Sequence, residues 1–327
     1  MSDAIKLEGV TKTFGSKVAV RELDMVVSRG AMVGFIGPNG AGKTTTIRMI
    51  LSILFQDSGK ITVLDCPSAL EAKDRIGYLP EERGVYKRMK VGSFLRYVAR
   101  LKGCSGPGLH AKVRQWLERV DLGDIENKRC EELSKGMQQK VQFVCSVIHE
   151  PELVILDEPF GGLDPLNMRL LRDLIREQHA RGATVVFSTH VMFQAEQLCD
   201  HILMINDGRK VLDESLSSIR TKYDPRIVVV ELLDPETDAD RLRSVPGIQD
   251  VAKSERAYEV RLGERTTAAD AIRDIAAAVP VVRIELRRPT LEDVFVQIVT
   301  ESRGGSVAEA RSLRTTLRDE PAEELGA

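Results

Sequence analysis

The sequence predicts an α/β fold: a mainly parallel, covered sheet organised around a phosphate-binding loop, then a smaller α+β unit of βαββαβ order. Three observations carry this. Gly37-Pro38-Asn39-Gly40-Ala41-Gly42-Lys43-Thr44 has the spacing Gly, four residues, Gly-Lys-Thr. Leu153–Leu156 is an unbroken apolar run of strand length, as expected of a strand covered on both faces. From Leu133 onward such runs alternate with segments of helical period, the pattern of a parallel sheet.

Taken in order, Lys6–Val10 and Val18–Val20 read as short strands, and Ala31–Ile36 as a buried strand entering the glycine loop. Thr45–Leu51 reads as the helix leaving that loop, and the Asp57-Ser58-Gly59 turn opens a strand over Gly59–Val63. Residues 91 to 121 change character. Val91, Phe94, Leu95 and Val98 have helical spacing, as do Val113, Trp116, Leu117 and Val120, with Gly103 to Gly108 parting the two sets. With the helix after Ser134, they predict a helical insert over about residues 88–150. Then follow the strand at Leu153, a helix over Leu166–Ala180, a strand over Thr184–Ser188 and a helix over Met192–Leu198. Ile202–Ile205 and Lys210–Leu212 form a hairpin across Asn206-Asp207-Gly208.

A boundary falls near Tyr223-Asp224-Pro225. Beyond it come strand (Ile227–Leu233), helix (Asp238–Ser244), strands (Ile248–Ser254 and Tyr258–Leu262), helix (Ala268–Ala278) and strand (Val281–Leu286), a ferredoxin-like order. A last helix follows Thr290, with Leu291, Val294, Phe295 and Ile298 on one face. From Arg303 on, Gly, Glu, Arg and Ala dominate, and a weakly ordered tail is expected. The predicted domains are therefore residues 1–222, residues 223–302 and a tail over 303–327.

The 327 residues, 43% hydrophobic and 29% charged, leave room for two domains without disulfides or metals holding the core. A net charge of −2 gives no global basic field for nucleic acid. The five cysteines are odd in number and form no Cys-x-x-Cys pair, which points to reduced thiols in a cytosolic protein rather than a zinc site. The N-terminus has no apolar signal segment, and no run approaches the ~18 apolar residues of a membrane span. A role at a membrane must then come through a partner.

The chemistry gathers at few places. Glycines let the loop turn tightly and aim its N–H groups at phosphate oxygens, and the helix that follows adds its positive end. Lys43 can reach the β- and γ-phosphates, and the Thr44 hydroxyl can ligate Mg²⁺. Asp157-Glu158 ends a buried strand. Read alone, the pair is a strand end turning into a loop at Pro159. Beside a phosphate loop, one carboxylate faces the metal and the next the attacking water. Ser134 reads as the N-cap of a helix, and with Gly136 it forms either an ordinary cap or a second phosphate clamp. Gly161-Gly162-Leu163-Asp164 follows soon after Glu158. His190 sits at the carboxyl end of a strand, where ligands gather in open α/β sheets.

In this order the motifs resemble the nucleotide-binding subunit of ABC transporters, over residues 4 to about 220: Walker A, helical insert, signature Leu133-Ser134-Lys135-Gly136, Walker B, D-loop and H-loop histidine. A GTPase would need Asn-Lys-x-Asp, and Asn127-Lys128-Arg129-Cys130 lacks the aspartate. The resemblance implies an ABC-type ATPase domain with ATP and Mg²⁺. Phe14 would stack on adenine, and Gly37, Asn39, Gly40, Ala41, Gly42, Lys43, Thr44 and Thr45 would cradle the phosphates. Glu158 would be the general base and His190 the γ-phosphate contact, while Thr44, Asp157 and Glu81 would form the metal side. Ser134 and Gly136 would grip ATP bound to the other subunit, with Asp164 across the same interface. The implied partners are a second copy or paralogue and an integral membrane permease, with no nucleic acid, and the implied location is the cytoplasmic face of the cell membrane.

Two residues depart from the family pattern. Glu81 stands where the family usually has the Q-loop glutamine, and its charge beside a triphosphate must be balanced. Lys135 enters the signature, either near phosphate or as a solvated surface lysine. The loop Glu81-Glu82-Arg83-Gly84-Val85-Tyr86 and the segment Pro289–Phe295 resemble the bacterial NatA/DrrA/YhaQ-type export group. The alternative within the same fold is a soluble ABC-type machine in DNA repair, translation or cofactor assembly. It would need a nucleic-acid surface or a second cassette, and neither is visible. In the C-terminal unit, Arg283, Arg287 and Arg288 make either a surface for an acidic partner or a solvated edge.

Overall fold

The computed structural model describes residues 2–82, 84–233, 239–254 and 257–303. Alternation builds the first elements. β1 (Asp3–Phe14) buries Ile5, Leu7 and Val10, and β2 (Lys17–Ser28) buries Val20, Leu23, Met25 and Val27, with mostly polar residues and the exposed Val26 between them. Each strand thus has one core face and one wet face. They pair antiparallel along most of their length, far longer than the short runs predicted. β3 (Met32–Ile36) is instead buried at every residue. α1 (Lys43–Ile50) follows, then β4 (Ser58–Val63), which pairs with β1 to complete a three-stranded sheet of order β2-β1-β4.

β5 (Ile76–Leu79) was not foreseen: four residues containing a glycine give no periodic signal. The helical insert consists of α2 (Val91–Leu101), α3 (Leu109–Arg119) and α4 (Lys135–Val147). α4 passes β5 so closely that a Cβ at Gly77 would stand 1.9 Å from the Ser146 carbonyl oxygen, so only glycine fits there. The chain continues through β6 (Leu153–Asp157), α5 (Pro165–Ala180), β7 (Thr184–Thr189), α6 (Met192–Leu198) and the hairpin β8 (His201–Asn206) and β9 (Arg209–Ser215). α7 (Leu216–Lys222) is a second element the sequence did not announce.

These strands form a six-stranded sheet of order β5-β6-β7-β3-β8-β9, parallel except for β9. β3, β6 and β7 are buried along their whole length, which explains their continuous apolar runs. One hydrophobic core joins both sheets and α1, with Leu7, Met25, Phe35, Ile47, Ile155, Val186 and Leu203 among its members.

The chain divides into two compact units, one of residues 1–216 with the chain from Val296, the other Ser217–Phe295. In the second, β10 (Ile227–Leu232), α8 (Ala239–Arg243), β11 (Ile248–Ser254), β12 (Ala257–Leu262), α9 (Ala268–Ala278) and β13 (Val281–Leu286) follow the predicted βαββαβ order. The sheet order is β11-β12-β10-β13 with every neighbour antiparallel, so β12 separates β10 from β11 in a split βαβ unit. Val228, Val230, Leu242, Val260, Ala271 and Ile275 form its core. Arg283 is paired with Glu231 and Arg287 with Glu259. α10 (Leu291–Arg303) buries Leu291, Val294, Phe295, Val296 and Val299. The expected helix start at Asp238 lies outside the described residues. So does the expected tail, except that Arg303 closes α10. Among the described residues no helix is long and apolar enough to cross a membrane.

Candidate nucleotide-binding site

Four parallel strands deliver the site. Ile36 of β3 lies beside Thr189 of β7, Asp157 of β6 beside Ser188, and Leu79 of β5 beside Leu156. Whatever follows these strands must therefore emerge on one edge of the sheet, the edge where open α/β sheets bind ligands. That edge receives the glycine loop, Glu81, Asp157, Glu158 and His190.

The loop leaves β3 at Gly37, where a Cβ would stand 2.2 Å from the Ile205 carbonyl oxygen. Only glycine allows β8 and the loop to approach so closely. Gly42, in a left-handed conformation, stands at the N-cap of α1 and supplies no side-chain acceptor. The first turn thus has no side-chain cap, as at other phosphate-binding helix starts. Lys43 is only 6% exposed, and its Nζ donates to the carbonyls of Gly37 at 2.8 Å and Pro38 at 3.1 Å. The ammonium is thereby held inside the loop. The Thr46 hydroxyl donates to Gly42 O at 2.9 Å, and Gly208 N–H donates to Ala41 O at 3.0 Å, bracing the loop from both sides. Asn39 and Gly40 are exposed, while Thr44 and Thr45 are half-buried.

Asp157 is fully buried. Its Oδ1 accepts a short hydrogen bond from the Ser188 hydroxyl and faces the Thr44 hydroxyl at 3.4 Å. Its Oδ2 is buried without a protein partner. Burial pushes this carboxyl above its ordinary range, against the opposing bonds from Ser188 and Thr44. A buried carboxylate oxygen left over beside a threonine hydroxyl fits Mg²⁺, which keeps waters and phosphate oxygens in most of its coordination sphere. Among the described residues no group of three or more His, Cys, Asp or Glu could hold a metal, so an all-protein cage of the zinc kind is not what this edge offers. Glu81 stands within the field of the same carboxylates. Its partial burial, then Asp157, then Glu158 raise its carboxyl, while Lys43 and Arg48 offset them. The Tyr78 phenol, on β5 before it, is pushed up to about 12, first by burial and then by Asp157.

Glu158 has φ +46, a left-handed conformation uncommon for a residue with a side chain. It is held there from several sides. Its N–H donates to Ser188 O at 3.2 Å. Its Oε1 accepts from His190 N–H at 2.9 Å and lies 2.8 Å from His190 Nδ1. The Thr189 hydroxyl is 3.2 Å from Oε2. The two residues predicted to act on the γ-phosphate are thus in direct contact. The Nδ1 contact fixes the orientation of the imidazole against the Glu158 carboxylate.

Two predicted residues bond elsewhere, and a third packs beside them. Ser134 Oγ caps α4 by accepting from Met137 N–H at 3.3 Å, and Asp164 caps α5 by accepting from Asn167 N–H at 2.9 Å. Gly136 lies against Leu163, where a Cβ would be 3.5 Å from its Cδ2, so the starts of α4 and α5 pack together. Ser134 and Lys135 are exposed. Phe14 stands half-exposed at the tip of the β1–β2 hairpin. The sequence places Ser188 at a strand end beside His190 without a role for it, yet its hydroxyl orders Asp157 from 31 residues away, and no signal within either segment announces the pair.

Comparison with known proteins agrees with the geometry. Residues 20–161 match the family described as ABC transporter, and residues 215–299 match the one described as ATP-binding protein DrrA1-3-like, C-terminal domain. An uncharacterized ABC transporter ATP-binding protein, YhaQ of Bacillus subtilis, is 38% identical over 295 residues, covering 90% of this chain and 98% of that protein. The Nod factor export ATP-binding protein I of Bradyrhizobium diazoefficiens is 34% identical over 298 residues, covering 90% and 96%. A solved ATP-binding subunit of an ABC transporter superposes with a TM-score of 0.63 at 31% identity, over 67% of this chain and 93% of that one.

Proposed function

This chain belongs to the ABC transporter ATP-binding proteins, and we propose from that premise that it hydrolyses Mg²⁺·ATP between two copies of itself to drive export through a separate membrane permease. Residues 1–222 would be the ATPase domain, with its helical insert over about 88–150, and 223–302 an accessory domain. The observation that carries the reading is the meeting of Lys43, Asp157, Glu158 and His190 on one strand edge, beside an uncapped helix start.

In this reading the phosphates lie in the loop Gly37–Thr45, with Lys43 against the β- and γ-oxygens. Thr44 and Asp157, with Glu81 beside them, hold Mg²⁺, which when bound neutralises charge on the phosphate oxygens. Glu158 orients the attacking water and takes up its proton as the new P–O bond forms and the bond to ADP breaks. His190, held against Glu158 at Nδ1, is the γ-phosphate contact. Ser134 and Asp164 cap the starts of α4 and α5, and Gly136 lies between them against Leu163, which supports a shared role toward ATP bound to the opposite subunit. Export is supported by the relative named for Nod factor export. The location is the cytoplasmic face of the membrane, through the permease.

Glu158→Gln tests this most directly. Steady-state ATP turnover should fall by about 10²-fold or more while ATP binding is retained. Light scattering should then show an ATP-dependent dimer that persists. Undiminished turnover would remove Glu158 from the reaction.

A further inference from the structure

We infer that Asp57 is a positioning residue for base recognition, its carboxylate fixing the Phe14 ring as a preformed platform at the tip of the β1–β2 hairpin. The inference rests on the reading of Phe14 as the adenine platform.

The β1–β4 ladder reaches only as far as Thr11 opposite Ser58. Asp57 immediately precedes β4, and its N–H donates to Thr11 O at 2.9 Å. Beyond that point its side chain takes over from the backbone. Oδ2 accepts from Thr13 N–H at 2.7 Å, one residue before Phe14. Oδ1 accepts from Lys12 Nζ at 2.7 Å. The same ammonium lies 5.6 Å from the centroid of the Phe14 ring, within cation–π range. One carboxylate therefore fixes both the backbone entering Phe14 and the cation over its face.

The pairing also explains how Lys12 is tolerated. Its side chain is 14% exposed, and an ammonium so enclosed needs a partner. The other side of the hairpin is tied as well, since Glu22 N–H donates to the Thr11 hydroxyl at 3.0 Å. A half-exposed ring at a hairpin tip would otherwise pay ordering entropy each time a base stacked on it. Here the ordering is built into the fold, and no atom of Asp57 need touch the nucleotide.

The test separates base from phosphate. Wild type, Phe14→Ala, Asp57→Ala and Asp57→Asn are titrated by calorimetry with Mg²⁺·ATP and with inorganic tripolyphosphate. Asp57→Ala should weaken ATP binding about fivefold, the size of a lost aromatic contact, and leave tripolyphosphate unchanged. Asp57→Asn should fall between, because its amide oxygen still accepts from Thr13. Phe14→Ala should lose ATP affinity alone, and by more. Wild-type ATP binding in Asp57→Ala, or equal loss of both ligands, would overturn the positioning role while Phe14→Ala stays selective. A Phe14→Ala variant that does not distinguish the two ligands would instead remove the base platform, and the inference with it.

Discussion

Strand β6 has a carboxylate at each end, and the two are treated in opposite ways. At its amino end, Glu152 accepts from Arg75 at 2.6 and 2.8 Å and from Arg29 at 2.9 Å, and Arg75 holds its carboxyl below the ordinary range. Glu150 beside it is paired with Lys112 at 2.7 Å and Arg181 at 3.1 Å. At the carboxyl end, Asp157 is buried, carries one oxygen with no protein partner and is pushed above its ordinary range. Charges at the amino edge are completed within the chain. At the other edge one buried carboxylate oxygen has no protein partner, an arrangement that costs stability in general.

The contrast can be broken first at Asp157. On the metal role proposed for Asp157, Asp157→Asn should lower ATP hydrolysis by about 10²-fold. Yet without nucleotide it should raise Tm by about 2–4 °C, since an uncompensated buried charge has been removed. Calorimetry of the nucleotide-free protein checks the second half, and a lowered Tm would mean that Asp157 is satisfied after all. The matching change at the other end, Glu152→Gln, should have the opposite sign and at most the same size. Its pairs are partly exposed, so Tm should fall by about 2–4 °C at most, and ATP turnover should stay within about twofold of wild type.

His149 is the exception at the amino edge and gives the smallest effect. Its Nδ1 is buried without a partner, and burial, with Lys102 adding, holds its pKa down to about 4 against an ordinary 6.5. Between those values an unfolded chain takes up a proton that the folded chain refuses. Stability should therefore fall as pH drops from 6.5 toward about 4. In His149→Gln that slope should flatten, with the Tm loss between pH 7 and pH 5 reduced by about 2 °C in parallel scans. An unchanged slope would place the acid sensitivity elsewhere.

The residues that could be read from the sequence are those whose meaning lies within a few neighbours. The glycine loop, the apolar runs of β6 and β7 and the order of the C-terminal unit are of this kind. α6, β11, α9 and β13 have the bounds their periodicity suggested. β1 and β2 read short because their wet faces interrupt the apolar pattern, and β5 is too short to show a period. What pairing decides stayed hidden. Ser188 meets Asp157 only because β6 and β7 are neighbours in register, and Asp57 meets Thr13 across 44 residues because β4 returns beside β1. A motif thus announces the charged groups of a site but not the residues that hold them still.

Gly77 has a mechanical consequence. Where β5 passes α4, backbone meets backbone with no side chain between them, so the joint has no soft part to absorb a displacement. The helix that begins after Ser134 and the strand that runs out toward Glu81 therefore cannot close further on each other, and any side chain at position 77 would have to part them.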